Sequence, residues 1–167
     1  MTDPLDPLDP LGRHDPASGP GAARGPADPI VLDSSVLVAY ERMKSPGASL
    51  MHEAQSRIGG WLLDRVTLLV PALSLAVASR ECGGGPQELD YLTDGDPDLV
   101  LTVPLARESA VDVGAASTAA HGEDFEISHV IWCATGHDDD GDPAARWPVA
   151  TYWPDWYAHA GVPVIAL

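Results

Sequence analysis

The stretch PIVLDSSVLVAY, residues 29–40, decides the fold. Ile30 to Leu32 form a short apolar run rich in β-branched residues, which is typical of a buried strand. Asp33 ends this run, and the two serines that follow it are residue types that cap helices. The pattern therefore predicts a strand that leads directly into a helix over Val36 to Met43.

Strand and helix patterns alternate along the rest of the chain. Apolar runs predict a buried strand over Leu99 to Val103, and strands over Val149 to Tyr152 and Val162 to Ala166. Thr67 to Val70 is predicted to be a strand or a helix lead-in. Intervening stretches predict helices over Ala48 to Leu63, Ala72 to Glu81, Pro104 to Ala120, Asp124 to Thr135 and Pro154 to His159. This alternation predicts an α/β fold, a three-layer α/β/α domain over 30–167 with a mainly parallel central sheet.

The first 29 residues differ in composition from the rest. They hold seven of the 16 prolines and begin with three consecutive Asp-Pro-Leu repeats. Because proline fixes φ and lacks a backbone donor, this spacing excludes a helix or a central strand. We therefore expect 1–29 to be a disordered, extended tail.

Charge and hydropathy narrow the class of protein. With 9 basic and 25 acidic side chains, the formal charge is −16, which disfavours general coating of nucleic acid because such binding depends on cationic side chains. The longest apolar stretch, Thr67 to Ala78, is 12 residues, below the roughly 20 of a spanning helix. The first residues are acidic and proline-rich, whereas a secretory signal begins with basic residues that are followed by an apolar run. We expect a cytoplasmic protein that does not enter the membrane.

Asp33 is the first candidate for chemistry. In open parallel sheets, ligands bind beyond the carboxyl ends of the strands, and Asp33 directly follows a predicted strand. A carboxylate there would face the crevice at the sheet edge. The alternative is an ordinary helix cap.

Four runs of sequence, in order, resemble the motifs of PIN domains. They are VLDSSVLVAY (31–40), VPALSLAVASRE (70–81), EDFEISHVIWCA (123–134) and WPVATYWPDWYAHAGVPVIAL (147–167). The resemblance implies an α/β/α fold and a metal-dependent endoribonuclease, a class that includes toxins of bacterial toxin–antitoxin pairs. It also implies three or four carboxylates that gather around Mg²⁺ or Mn²⁺.

The resemblance carries over to this chain residue by residue. The first family acid matches Asp33, and the third matches Glu126. Asp124 is the alternative match for the third acid. The second acid falls on Val77 and the fourth on Trp153, so two of the four expected acids are absent. Asp33 and Glu126 are therefore the expected catalytic and metal-binding pair.

Neighbouring acids are candidates to compensate for the missing ones. Glu81 lies four residues after Val77, on the same helical face but about 6 Å further along the axis. We expect it to reach the rim of the site, and we count Glu81 and Asp124 as supplementary metal ligands. Asp155 lies two residues after Trp153, where capping of the last helix is its expected role. The Trp153 indole would fill the volume of a hydrated cation, so we expect metal binding to be weak or lost.

The aromatic residues cluster near the C-terminus. Six of the ten lie there: Trp132, Trp147, Tyr152, Trp153, Trp156 and Tyr157. We expect them to anchor the short terminal helix in the core, and the alternative is an exposed interaction patch.

Two functions from different classes remain. The first is a divalent-metal-dependent endoribonuclease, weakened by its missing acids, that acts on RNA as the toxin of a toxin–antitoxin pair. The second is a catalytically inactive PIN-like module that binds a protein, either an antitoxin-type chain or a second copy of itself. The missing acids and the negative charge favour the second, and the resemblance favours the first.

Overall fold

The computed structural model describes residues 28–41, 49–83, 87–120, 124–136 and 146–167. The predicted tail over 1–29 lies outside these ranges except for its last two residues, so its disorder stays a prediction. Across the described ranges, no helix combines the length and the apolar character needed to cross a lipid bilayer.

Five strands and six α-helices are present in the described ranges. The strands are β1 (Ile30–Leu32), β2 (Leu68–Pro71), β3 (Val100–Val103), β4 (Val149–Thr151) and β5 (Val164–Ala166). The helices are α1 (Ser34–Glu41), α2 (Ser49–Leu63), α3 (Ala72–Glu81), α4 (Gln87–Thr93), α5 (Arg107–Ala120) and α6 (Phe125–Thr135). A short 3₁₀ helix covers Pro154–Tyr157.

The strands form one sheet in the order β3-β2-β1-β4-β5, and every pairing is parallel. The central strand β1 pairs with β2 through Val31 and Leu69, and with β4 through Val31 and Val149. Strand order reverses on either side of β1, which is where open parallel sheets place a ligand crevice. The predicted α/β fold with a parallel sheet is confirmed.

Apolar side chains from both faces of the sheet build two cores. Successive strand residues point to opposite faces, so Leu32 contributes to one core and Val31 to the other. On the Leu32 side the sheet packs with Val36, Leu37 and Ile58 of α1 and α2. The opposite core includes Ile127, Val130, Cys133 and Ala134 of α6 and Tyr157 of the 3₁₀ helix. Helices therefore cover both faces and leave the carboxyl edge of the sheet for a site.

The structure corrects four details of the sequence prediction. Helix α4 was not expected, because the sequence patterns predicted no element between Glu81 and Leu99. Strand β3 is an edge strand with Leu101 and Thr102 exposed, so its predicted burial was wrong. Helix α5 begins at Arg107 rather than Pro104, and the last helix is a single 3₁₀ turn.

Candidate functional site

Asp33 lies directly after β1, at the carboxyl end of the central strand, and is 1% exposed. Its Oδ1 accepts hydrogen bonds from Ser35 Oγ at 2.6 Å and from the Val36 N–H at 3.2 Å, and its Oδ2 accepts one from the Tyr157 hydroxyl at 3.3 Å. Asp33 therefore binds the first turn of α1, as the alternative predicted, and it stands at the carboxyl edge of the sheet, where a role in chemistry stays a prediction. The helix begins at Ser34, so the prediction that the serines cap it is wrong.

Glu126 lies in the first turn of α6 and is 7% exposed. Its Oε1 accepts hydrogen bonds from Ser74 Oγ at 2.6 Å and from the Ser34 N–H at 3.3 Å. Because Ser34 follows Asp33 in the chain, these bonds bring the two carboxylates into one site. The structure thus joins three elements here: α1, α3 and α6.

Burial raises the pKa of Asp33 and of Glu126 above their ordinary values. Hydrogen bonds from Ser35 and Ser74 oppose this shift, and the negative charge of Asp33 raises the pKa of Glu126 further. Burial and the neighbouring acids also raise the pKa of Tyr157, so its hydroxyl keeps its proton and can donate to Asp33. The pair is therefore a desolvated acidic site in which an ionised carboxylate is costly.

A groove of about 940 Å³ opens beside Glu126. Val77 and Trp153, the two positions at which the resemblance would place acids, both line it. The rest of the lining consists of Ser34, Val38, Leu73, Ala76, Arg80, Glu81, Asp124, Phe125, Glu126 and Trp156. At the two positions where the resemblance would place acids, the groove thus has an isopropyl group and an indole.

The other acidic candidates contribute less. Asp124 is the N-cap of α6, and its side chain accepts from the N–H groups of Glu126 and Ile127. Glu126, not Asp124, therefore receives the bond from Ser34. Glu81 reaches the groove as predicted, but its carboxylate pairs with Arg80 at 3.0 Å and its side chain is 49% exposed. Asp155 is exposed and does not line the groove.

The donors present do not fit a dedicated Mg²⁺ or Mn²⁺ site. Such ions need several carboxylate and water oxygens in an octahedral arrangement. Within the described ranges, no group of three or more His, Cys, Asp or Glu side chains could hold a metal ion. Both oxygens of Asp33 and one of Glu126 already accept hydrogen bonds from the protein.

The terminal aromatic residues divide between core and surface. Tyr157 is 1% exposed and belongs to the core, as expected. Trp153 and Trp156 are 44% and 41% exposed, so the prediction of core packing was wrong for them. Their ring centroids lie 4.3 Å apart with a 37° angle between the planes. One exposed aromatic pair therefore forms part of the groove wall.

His129 lies one turn after Glu126 on α6 and is fully buried. No described residue forms a hydrogen bond with either ring nitrogen. Burial lowers the pKa of this imidazole, so the neutral form is favoured. His129 does not line the groove, and we assign it a packing role.

Ser74, Tyr157 and Thr151 were not singled out from the sequence as site residues. Ser74 lies three residues before Val77, a spacing that places both on one helical face and could have indicated a shared site. Thr151 ends β4 at the same sheet edge as Asp33, and its Oγ1 lies 3.5 Å from Ser35 Oγ. The contact from Tyr157 had no local signal, because it spans 124 residues of sequence.

Comparisons of the chain with protein families, with curated proteins and with solved structures find no match. The geometry of the groove and of the two buried carboxylates is therefore the basis for the proposals below.

Proposed function

We propose that this chain is a PIN-like domain that does not cleave RNA and acts instead as a binding module for a protein partner. The observation that carries the proposal is the replacement of two expected acids by Val77 and Trp153 in the groove beside Glu126. The ordered resemblance to PIN motifs supports the family, and the all-parallel five-stranded sheet agrees with it.

The chemistry of phosphodiester hydrolysis supports the loss of activity. In such sites, carboxylates hold divalent ions that generate the attacking water and stabilise the leaving oxygen. Here the acid pair is buried and its oxygens largely accept protein hydrogen bonds. The formal charge of −16 also opposes the approach of an RNA backbone.

The composition of the groove supports binding. Val38, Leu73 and Ala76 give it an apolar surface, and Trp153 and Trp156 add two partly exposed indoles. Tryptophan is enriched among residues that dominate binding energy at protein interfaces. The partner is an antitoxin-type chain or a second copy of this chain.

The test has two parts. Purified protein is incubated with an RNA ladder in Mg²⁺ or Mn²⁺, and we expect no cleavage above that of buffer. A partner recovered with the full chain from its native source should lose binding to Trp156→Ala and keep binding to Tyr91→Ala, an exposed aromatic outside the groove. RNA cleavage that Asp33→Asn abolishes would overturn the proposal.

A second candidate is a weak metal-dependent endoribonuclease. The observation in its favour is that Asp33 and Glu126 lie together at the carboxyl edge of the sheet, where ligands of parallel sheets bind. The double variant Val77→Glu, Trp153→Asp tests whether the second and fourth acids of the family motifs are correctly matched to these two positions, on which both candidate functions depend. We expect it to bind Mn²⁺ more tightly than the unmodified chain by calorimetry, and unchanged affinity would show that the motif assignment is wrong.

A further inference from the structure

Three aromatic side chains of the groove are open to solvent. Trp153 and Trp156 form a contacting pair, and Phe125 on the same groove is 55% exposed. Soluble proteins usually bury large aromatic surfaces, and clustered exposed ones mark sites where something binds. The faces of indole rings carry negative electrostatic potential and attract cations, most strongly those with a thin hydration shell.

Negative charge in the groove is only partly balanced. Arg80 pairs with Glu81, so those two charges offset each other. No described residue forms an ion pair with Glu126 or Asp124, and both line the groove. The two donors to Glu126 both bind Oε1, and no described residue donates to its Oε2. Glu126, a residue that is only 7% exposed, thus has one carboxylate oxygen to which no described residue donates.

These two features point to the same kind of ligand. A small divalent ion would require more oxygen ligands than the groove supplies, as shown above. A phosphate would be repelled by the acidic side chains. A bulky organic cation holds its own charge, needs few oxygen ligands and contacts aromatic faces through its alkyl groups. The volume of about 940 Å³ accommodates such a group with room to spare.

We infer that the groove binds an alkylated ammonium cation, with its alkyl groups against Trp153 and Trp156 and its charge facing Glu126 and Asp124. The inference rests on the proposed function, because it assigns the groove to binding and gives the chemistry of what is bound. The cation belongs either to a free small molecule or to a methylated lysine of a partner, and both share this chemistry.

The test is a titration of the full chain with tetramethylammonium chloride at constant ionic strength, with sodium chloride as the blank. Calorimetry and tryptophan fluorescence should both show saturable binding, with a dissociation constant of the order of 1 mM for so small a probe. Trp156→Ala and Glu126→Gln should each weaken binding about tenfold or more. The matched control Tyr91→Ala, which removes an exposed aromatic ring outside the groove, should bind as the unmodified chain does.

A parallel titration with a peptide that contains trimethyllysine separates the two sources. Binding more than about tenfold tighter than that of tetramethylammonium assigns the cation to a partner chain, and equal binding assigns it to a small molecule. No saturable binding of either probe, or equal binding by Trp156→Ala, would overturn the inference. If neither probe binds and the protein also leaves RNA intact, the further inference fails but the proposed function is unaffected. Metal-dependent cleavage of RNA would instead contradict the proposed function, whatever the titration shows.

Discussion

At the scale of single residues, Glu126 shows two opposing effects in one side chain. Burial raises the pKa of its carboxyl, while Ser74 and the Ser34 N–H stabilise the charged form by donating to Oε1. The raised pKa in the folded chain means that burial is the larger effect. The ionised side chain therefore lowers the stability of the fold at neutral pH.

Replacing Glu126 by glutamine should stabilise the protein at pH 7, because the neutral amide avoids the cost of burying a charge. The amide oxygen still accepts from Ser74 and Ser34, and no charge is buried. The pKa of Glu126 is higher in the folded chain than in the unfolded chain. The contribution of Glu126 to the free energy of unfolding is therefore fully present below the unfolded pKa, and it is lost as pH rises through the folded pKa. The gain should therefore be small in acid and grow as pH rises, as measured by urea unfolding from pH 4 to 8.

The control for this variant is Glu53→Gln, since Glu53 is a partly exposed residue in a 3.9 Å ion pair with Arg57. Exposed ion pairs contribute little, so its stability should change by less than about 0.5 kcal/mol at any pH. A Glu126→Gln protein that is less stable than the unmodified chain at pH 7 would show that the hydrogen bonds outweigh burial.

The resemblance to PIN motifs was sufficient to predict that Asp33 and Glu126 meet, because it matches both residues to acids of one site. It could not predict the donors to them. Ser74 sits in an apolar helix where a small polar residue is unremarkable, and Tyr157 reaches Asp33 only through tertiary packing. The sequence also could not predict that Trp153 is exposed, because a local pattern does not show which face of so short a helix packs against the core.

At the scale of elements, α4 depends on a residue from another helix. It has only seven residues, too few to be stable alone in water. Glu41, the last residue of α1, accepts from the Gln87 N–H at 3.0 Å and from the Leu89 N–H at 2.8 Å. Two buried leucines, Leu89 and Leu92, complete the attachment. A carboxylate 46 residues away thus serves as the N-terminal cap.

Replacing Glu41 by alanine should lower the free energy of unfolding by about 1 kcal/mol, the usual cost of losing a helix cap. Amide hydrogen exchange within Gln87–Thr93 should become faster than elsewhere in the domain. Glu41→Gln retains one acceptor oxygen and should lose less. Unchanged exchange in α4 after the alanine substitution would mean that Leu89 and Leu92 hold this helix without the cap.

Sequence patterns located most elements but not this one. The helix α3 was predicted over Ala72 to Glu81 and lies there, because Pro71 and the glycines after Glu81 mark both ends. The stretch over 87–93 carries two acidic residues in its first turn, Glu88 and Asp90, but its cap comes from Glu41, 46 residues away in the sequence. The same limitation applies to β3, whose apolar composition indicated burial although its position at the sheet edge exposes Leu101.

At the scale of the whole molecule, charge is the dominant property. A formal charge of −16 on 167 residues places many like charges within a Debye length of each other at low salt. Their mutual repulsion opposes the compact state, and the unfolded chain relieves part of it. Added salt should therefore stabilise the fold.

We expect the melting temperature at pH 7 to rise by about 3 °C between low ionic strength and 0.15 M sodium chloride, which corresponds to about 1 kcal/mol for a domain of this size. The matched measurement is the same salt series near pH 4.3, where the net charge is close to zero and the increase should vanish. An equal increase at both pH values would assign the effect to something other than repulsion.

The parallel direction of all five strands also has a practical consequence for handling the protein. The groove opens at the carboxyl edge, beside Ser34 and Trp153, whereas the chain reaches β1 through Asp28 and Pro29 at the amino edge. A fusion partner or a surface linkage attached ahead of Asp28 therefore joins the domain on the side away from the groove. Immobilisation by that end should leave the groove and both of its indoles accessible to dissolved molecules in a biosensor.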